Sequence, residues 1–333
     1  MAIQGTVPLY RCQIGWELPN RGVAHAATRA MPILGGELQD HHELSLRKEQ
    51  RNSYIAYHRA PIQTKSWAEI SGMEVVPTFE EMPEYLGLAL KKVQTPSTVN
   101  TTVQRWEYTT TATSDDLATA TFEIGDDATD FRMNFGVVNR LQFGWELGGP
   151  ATMTMDVLGS QMAVASTYSS GLSFLTSEEI NPAEARVYID ATAAGIGGTI
   201  NTNLQSFQAT IENHYIQHWA ADGNYYPNDV YRSEPRTMQI EGTVDFNDTT
   251  QYYAYASTQE RFIRCYIPGS EVTGSDPALP RSITIDAAVY WDDAPFQTTD
   301  GRRQMRFTGS TVYNTTLGHD WKVTVDNLVS HQD

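Results

Sequence analysis

The stretch Thr237 to Glu260 (TMQIEGTVDFNDTTQYYAYASTQE) constrains the fold more than any other. Met238, Ile240, Gly242, Val244 and Phe246 fall on one face of a period-two pattern, with Gln239, Glu241, Thr243 and Asp245 on the other. That alternation predicts a strand with one buried face. Asn247 and Asp248 break the pattern and offer helix N-caps. The residues that follow, through Glu260, lack Gly and Pro and predict a short helix. Ile70 to Lys92 (ISGMEVVPTFEEMPEYLGLALKK) reads as the same device, with Ile70-x-Gly72 placed before the helix as Ile240-x-Gly242 is. In that earlier helix Phe79, Met82, Leu86 and Leu90 are spaced as an apolar stripe, and Pro83 sits in the first turn, where its missing N–H costs little. A strand–helix unit that occurs twice implies two related halves.

The rest of the chain is also β-type. Residues 8–18 predict a first strand, followed by the turn cluster Pro19-Asn20-Arg21-Gly22, and the small residues Ala24 to Ala30 predict one helical turn. Val103 to Thr113 and Leu117 to Ile124 are strand-like runs joined by Ser114-Asp115-Asp116. Phe131 to Gln161 is the clearest hairpin: Leu141, Phe143, Trp145 and Leu147 alternate before Gly148-Gly149-Pro150, and Met153, Met155 and Val157 alternate after it. The Ser-rich segment 163–184 is the expected junction between a first domain, 1–162, and a second, 185–333. The second half predicts further strands at 185–193, 204–215, 262–267, 283–291, 304–313 and 321–329, with long loops at 216–236 and 268–280.

Residues 37–66 are polar and mixed in charge, yet they carry Tyr54, Ile55 and Tyr57, which a solvated linker rarely does. They are expected to form an extended arm or long hairpin that orders against a partner. The charge is uneven along the chain, which fits a soluble acidic surface or, more specifically, a basic arm that meets an acidic surface on a neighbouring copy. Residues 1–65 hold eight Lys/Arg against five Asp/Glu, and the remainder of a chain with net charge −17 is correspondingly acidic. The same balance argues against gripping nucleic acid through phosphates. No apolar run reaches the roughly 18 residues of a membrane span, and MAIQGTVPLYRCQIGWE does not have the pattern of a secretory leader. Cys12 and Cys265 are too few for a disulfide framework and are expected to be unpaired thiols in a reducing cytoplasm.

No catalytic constellation emerges, so an enzyme is not expected, nor a cofactor or metal. His41-His42-Glu43 would point to opposite faces of a strand. Asp115-Asp116, Asp126-Asp127 and Asp292-Asp293 fit turn chemistry better than a calcium loop. Gly195-Ile196-Gly197-Gly198 lacks the following helix of a nucleotide loop. The aromatic loop carrying Tyr215, Trp219, Tyr225, Tyr226 and Tyr231 suits stacking of sugars or bases, or equally cover for a sheet end or subunit contact.

Taken in order, GWELPNRGVAHAATRAMPILG, the arm carrying Arg47 to Arg59, the strand with Ser71-Gly72 and its Leu-rich helix resemble the major tail proteins that build the tail tube of long-tailed phages. Gly136-Val137-Val138-x-x-Leu141 with its Gly-Gly hairpin, FQATIEN at 207–213, and Thr237 to Val244 extend the resemblance over most of the chain. The loops 215–236 and 268–281 depart from it. The resemblance implies a mainly β fold, a tail-tube-type β-sandwich or barrel with a flanking helix, duplicated within this chain. It implies a structural virion protein, made in the host bacterial cytoplasm, whose copies join into stacked rings forming a conduit for DNA ejection. With both halves acting as tube domains, a ring takes three copies with pseudo-sixfold symmetry; with one, it takes six. The arm residues Arg47, Lys48, Arg51, Tyr54, Tyr57 and Arg59 would contact the next ring. Met238, Ile240, Val244, Leu141, Phe143, Met153 and Met155 would lie on the inter-subunit β-wall. Further implied partners are a tape measure protein and tail terminator or tip proteins, with DNA passing the lumen unbound. The rival readings are a decoration or fibre protein of β-sandwich type, and a carbohydrate-binding module or glycosidase using Asp292 or Asp293.

Overall fold

The structure, a computed structural model, describes residues 11–49, 51–52, 54, 57–58, 60–90, 94–100, 102–110, 117–125, 129–164, 169–275, 278–299 and 301–332. The alternating runs become strands of a mainly β, sandwich-like fold. The first half contributes β1 (Arg11–Trp16), β2 (Arg29–Met31), β3 (Ile33–Ser45), β4 (Lys48–Glu49), β5 (Tyr57–His58), β6 (Ile62–Val75), α1 (Met82–Leu90), β7 (Ser97–Thr98), β8 (Gln104–Thr109), β9 (Ala120–Gly125), β10 (Asp130–Glu146), β11 (Ala151–Gly159) and β12 (Met162–Val164). The second contributes β13 (Arg186–Asp190), β14 (Leu204–Glu212), β15 (Tyr215–His218), β16 (Asp229–Arg232), β17 (Thr237–Asp245), α2 (Thr250–Ala256), β18 (Arg261–Glu271), β19 (Pro280–Asp293), β20 (Phe296–Thr299), β21 (Arg302–Thr311) and β22 (Trp321–Asn327).

Two long strands organise the pairing, and each serves two sheets. The N-terminal part of β10 lies between β9 and β12, with β1 beyond β9. Its C-terminal part pairs with β11, β11 with β6, and β6 with β3. The N-terminal part of β19 lies between β18 and β22, with β13 beyond β18. Its C-terminal part pairs with β21, β21 with β17, and β17 with β14. These seven strands are paired in the same order in both halves. Register agrees too. Ile70 stands opposite Val157, which stands opposite Val138; Ile240 stands opposite Gly309, which stands opposite Trp291. In each half a register shift follows at the next residue, Asn139 in β10 and Asp292 in β19. Such bulges add twist and bend the strand, which lets one strand pass between sheets.

The halves meet where β10 pairs with β14, and again where β22 pairs with β8. The first of these junctions makes one continuous antiparallel sheet in the order β3-β6-β11-β10-β14-β17-β21-β19. Among the described residues no strand pairs back to close it into a barrel. Beneath the sheet lies one shared apolar core that includes Phe79, Tyr85, Trp106, Tyr108, Phe122, Phe207, Phe307 and Trp321. Glu17 ties the entry of the chain to it: its carboxylate accepts from Thr119 (2.5 Å) and Thr121 (2.8 Å) hydroxyls and from the N–H of Phe135 (2.8 Å), whose φ is 58°.

The two helices differ more than their sequences suggest. The stripe residues Phe79, Met82, Leu86 and Leu90 are buried as expected, but so are all nine residues of α1, so no face is left to water. Glu84 on its polar side is paired with buried Arg29 at 2.9 Å. Its last carbonyls are capped from the second half, Ala89 by Asn213 (2.7 Å) and Leu90 by Arg236 (2.9 Å). The helix α2 is shorter than expected, stopping at Ala256, and buries only Ala254. Asp248 does bond the Thr250 N–H, at 2.8 Å. The two glycines after Ile70 and Ile240 also part ways. Gly72 takes φ 58° at a bulge facing open space, whereas a Cβ on Gly242 would meet the Phe307 ring at 2.4 Å. The expected helical turn at Ala24 to Ala30 is extended chain leading into β2. Lys91, Lys92, Asp115, Asp116, Asp126 and Asp127 lie outside the described residues.

Candidate functional site

The broad sheet has an apolar face on the core and a polar face on solvent. The residues Leu141, Phe143, Met153, Met155, Met238, Ile240 and Val244 all point into the core, each buried. Their strands are paired on both sides within the chain. The polar face alternates with them and is acidic. Its arginines are already matched to carboxylates: Arg306 to Glu241 (2.6 Å), Arg302 to Asp245 (3.3 Å) and Arg140 to Glu212 (3.9 Å). Glu37, Glu74 and Glu146 are exposed on the same face.

The sheet ends in two open edges. One is β3, which among the described residues pairs along its length only with β6. The other is the C-terminal part of β19 continued past Ala294 and Pro295 into β20, which pairs with β21 on the inner side. Long unpaired edges are templates for another chain, and most proteins cover or shorten them. These two have counterparts inside the molecule. By register, β19–β20 corresponds to β10, Phe296 opposite Met305 as Phe143 is opposite Met153. Likewise β3 corresponds to β14, Leu38 opposite Ile70 as Ala209 is opposite Ile240. Inside the molecule β10 and β14 are joined to each other, whereas their counterparts β19–β20 and β3 have no strand on the corresponding side among the described residues.

Backbone direction matches as well. At the internal junction the Leu147 N–H donates to Gln205 O (2.7 Å) and the Asn213 N–H to Asn139 O (2.8 Å). Alternation then makes Leu141–Ile211, Phe143–Ala209 and Trp145–Phe207 the hydrogen-bonding pairs. At the open edge the Arg306 N–H donates to Pro295 O at 3.0 Å, so Pro295 turns its polar groups inward to β21. Its missing N–H is therefore not on the open side. Ala294, Phe296 and Thr298, the counterparts of Leu141, Phe143 and Trp145, face outward.

The arm is a long hairpin made by β3 and β6 with β4 and β5 at its tip. Arg47 and Lys48 are exposed, Arg51 pairs with Glu49 at 2.8 Å, and Tyr54 is fully exposed. Tyr57 belongs to β5, its side chain outside what is described, and Arg59 lies outside the described residues. Leu34, Leu44 and Leu46 are exposed along the hairpin, at 71%, 54% and 61%. Its base is pinned by the aromatic loop. The Ser66 N–H donates to Tyr225 O (2.9 Å), Lys65 lies over the Trp219 ring (4.6 Å), and Trp67 meets Trp219 edge-on.

Other sequence motifs have local explanations. His41 lies 3.0 Å from the Glu69 carboxylate and stacks on Trp67, while His42 lies 3.1 Å from the Asp40 carboxylate and hydrogen-bonds Ser66 (2.9 Å). The two rings thus serve separate partners. Asp292 accepts from the Ser310 hydroxyl (2.6 Å) and Asp293 from the Ala294 N–H (2.9 Å), at consecutive positions of the open edge. The glycines at 197 and 198 wrap the Asp190 carboxylate, donating at 2.9 and 3.2 Å. Among the described residues, no three His, Cys, Asp or Glu side chains converge as metal ligands, and no helix is long and apolar enough to cross a membrane.

Cys12 and Cys265 are free and buried in the core. Burial pushes the Cys12 thiol up, and the Cys265 thiol up to about 12. At pH 8 neither is expected to react with a thiol reagent until the protein unfolds, when both should titrate; rapid reaction of the native protein would contradict the packing described.

Alternation singles out β10, β11 and β17 as strands but not which edges are open, because every alternating strand looks alike before its neighbours are known. Neither a protein-family model nor a curated protein sequence matches this chain.

Proposed function

We propose that the chain is a structural protein that assembles head to tail into rings, and that the rings stack as the tail tube of a phage. The observation that carries this reading is the correspondence of edges. The chain joins β10 to β14 internally, and it leaves open the equivalent β19–β20 at one end and the equivalent β3 at the other. Two different, complementary edges on one subunit generate a head-to-tail interface, which closes into a ring when the rotation permits. Three copies then repeat the internal junction around a ring of six equivalent halves; a six-copy ring is the alternative. The polar face lines the lumen, where exposed carboxylates repel phosphates and let DNA slide without binding. The arm hairpin extends from the ring toward the neighbouring ring. Tape measure and tail terminator or tip proteins would be the partners along and at the ends of such a tube, and the virion its site.

The test is a cysteine cross-link. Gly144 stands opposite Gln208 at the internal junction, and their counterparts are Gln297 and Glu37, both exposed. The double variant Glu37→Cys, Gln297→Cys is expected to cross-link copies under mild oxidation. Denaturing electrophoresis should give a ladder that ends at a closed trimer. A ladder ending at six supports the alternative, and failure to cross-link at concentrations where the protein is assembled would overturn the edge pairing.

A further inference from the structure

The internal junction ends in a fastening. Asn139, the bulge residue of β10, takes the Asn213 N–H on its carbonyl and the Tyr215 N–H on its side-chain Oδ1, both at 2.8 Å. Tyr215 is thereby seated against Phe135 and Val137. A bulge that offers both a backbone and a side-chain acceptor sets the register of the strand it receives, since only one alignment presents two N–H groups to it.

The same fastening exists half-built at the open edge. Register carries Asn139 onto Asp292, Val137 onto Tyr290 and Gln161 onto Tyr313. Counting along β3 from Leu38, the counterpart of Ala209, carries Asn213 onto His42 and Tyr215 onto Leu44. Asp292 is exposed, and the Ser310 hydroxyl at 2.6 Å steadies its carboxylate on the strand. Tyr313 is 66% exposed and Leu44 54% exposed, and neither has apolar cover of the kind Tyr215 enjoys.

Resting on the ring reading, we propose that Asp292 is the register clamp between copies. Its carboxylate accepts the Leu44 N–H of the neighbouring copy and its carbonyl accepts the His42 N–H. Leu44 then lies on the ground formed by Tyr290 and Tyr313. The occupant is a second copy of this chain, and the argument is continuity: the sheet already contains this contact once.

The experiment compares Asp292→Asn with Asp292→Leu, by sedimentation and negative-stain microscopy over a concentration series. Asn139 does this work as an amide, so Asp292→Asn is expected to assemble like the parent. Asp292→Leu keeps the strand but loses the acceptor, and should raise the concentration needed for assembly by about tenfold or more. Leu44→Asp should do the same from the other side. Thermal melting of the unassembled protein should be unchanged in all three, because the groups are exposed. Equal assembly of Asp292→Leu and parent would overturn the clamp. Running the Glu37→Cys, Gln297→Cys cross-link in each background separates the two ideas. Cross-links at parental yield with Asp292→Leu reject the clamp and keep the ring, whereas no cross-link in the parent background rejects both.

Discussion

Replacing Asp40 with proline is expected to leave a folded monomer that no longer forms rings or tubes. Asp40 lies on β3, and alternation from Leu38, the counterpart of Ala209, turns its N–H to the open side. Among the described residues nothing takes that donor. Its side chain, among the described residues, contributes a contact with His42, at 3.1 Å, the kind of surface pair worth well under about 1 kcal/mol. Proline at a strand edge with its nitrogen outward is tolerated, so stability should change little. In the assembly the same N–H belongs to the hydrogen-bonding pairs between copies, and the ring adds the bulk of a pyrrolidine against the neighbouring strand. Losing about 1–3 kcal/mol at a buried interface bond recurs at every junction of a closed ring, so the effect compounds. The control is Gln39→Pro. That N–H points inward to β6, and its loss should destabilise the monomer. Circular dichroism and thermal melting report the fold, and negative-stain images report assembly. Tubes from Asp40→Pro at the parent's concentration would count heavily against the open edge as an interface.

The largest effect on stability is expected from Arg29→Met. Arg29 and Glu84 are paired at 2.9 Å, with side-chain exposures of 7% and 1%, and Glu84 sits on a helix with no exposed face. Methionine keeps the length of the side chain but leaves the carboxylate buried without its cation. Breaking a buried pair from one side typically costs about 3–5 kcal/mol, a large part of the stability of an ordinary domain. Sign follows from burial. In the variant a neutral Glu84 is cheaper to bury than an ionised one, so its folded-state pKa rises above the unfolded value. The deficit should therefore be greatest near neutral pH and shrink as the pH falls through the carboxylate range. Chemical denaturation at pH 7 and pH 5 measures both the loss and its direction. A loss below about 1 kcal/mol would mean the pair behaves as a surface pair.

The pseudo-repeat was partly legible from Ile70 and Ile240, whose neighbours do align across three strands. The rest of it was hidden by compensation. Where the first half places two valines, Val138 beside Val157, the second places Trp291 beside Gly309, and a Cβ on that glycine would stand 2.8 Å from the tryptophan ring. One large and one absent side chain fill the space of two medium ones, so packing is preserved while the residues share nothing. The helices diverged in the same way. The first became a core element and needed a buried ion pair and borrowed caps, whereas the second stayed a short surface turn with Tyr252 and Tyr253 exposed.

Alternation alone determined that this chain is mainly β, where its central hairpin turns, and which face of Thr237 to Asp245 is buried, because a period of two is set by the backbone and read by water. It carried Leu141, Phe143, Met153 and Met155 to the core for the same reason. Tertiary structure alone decided which strands are neighbours, that β10 and β19 each cross between sheets at a bulge, and that β3 and β19–β20 are left open. Those pairings join residues far apart in the chain, and every amphipathic strand offers the same backbone groups to any other. Only when all the edges compete for partners at once does it emerge which two remain unpaired.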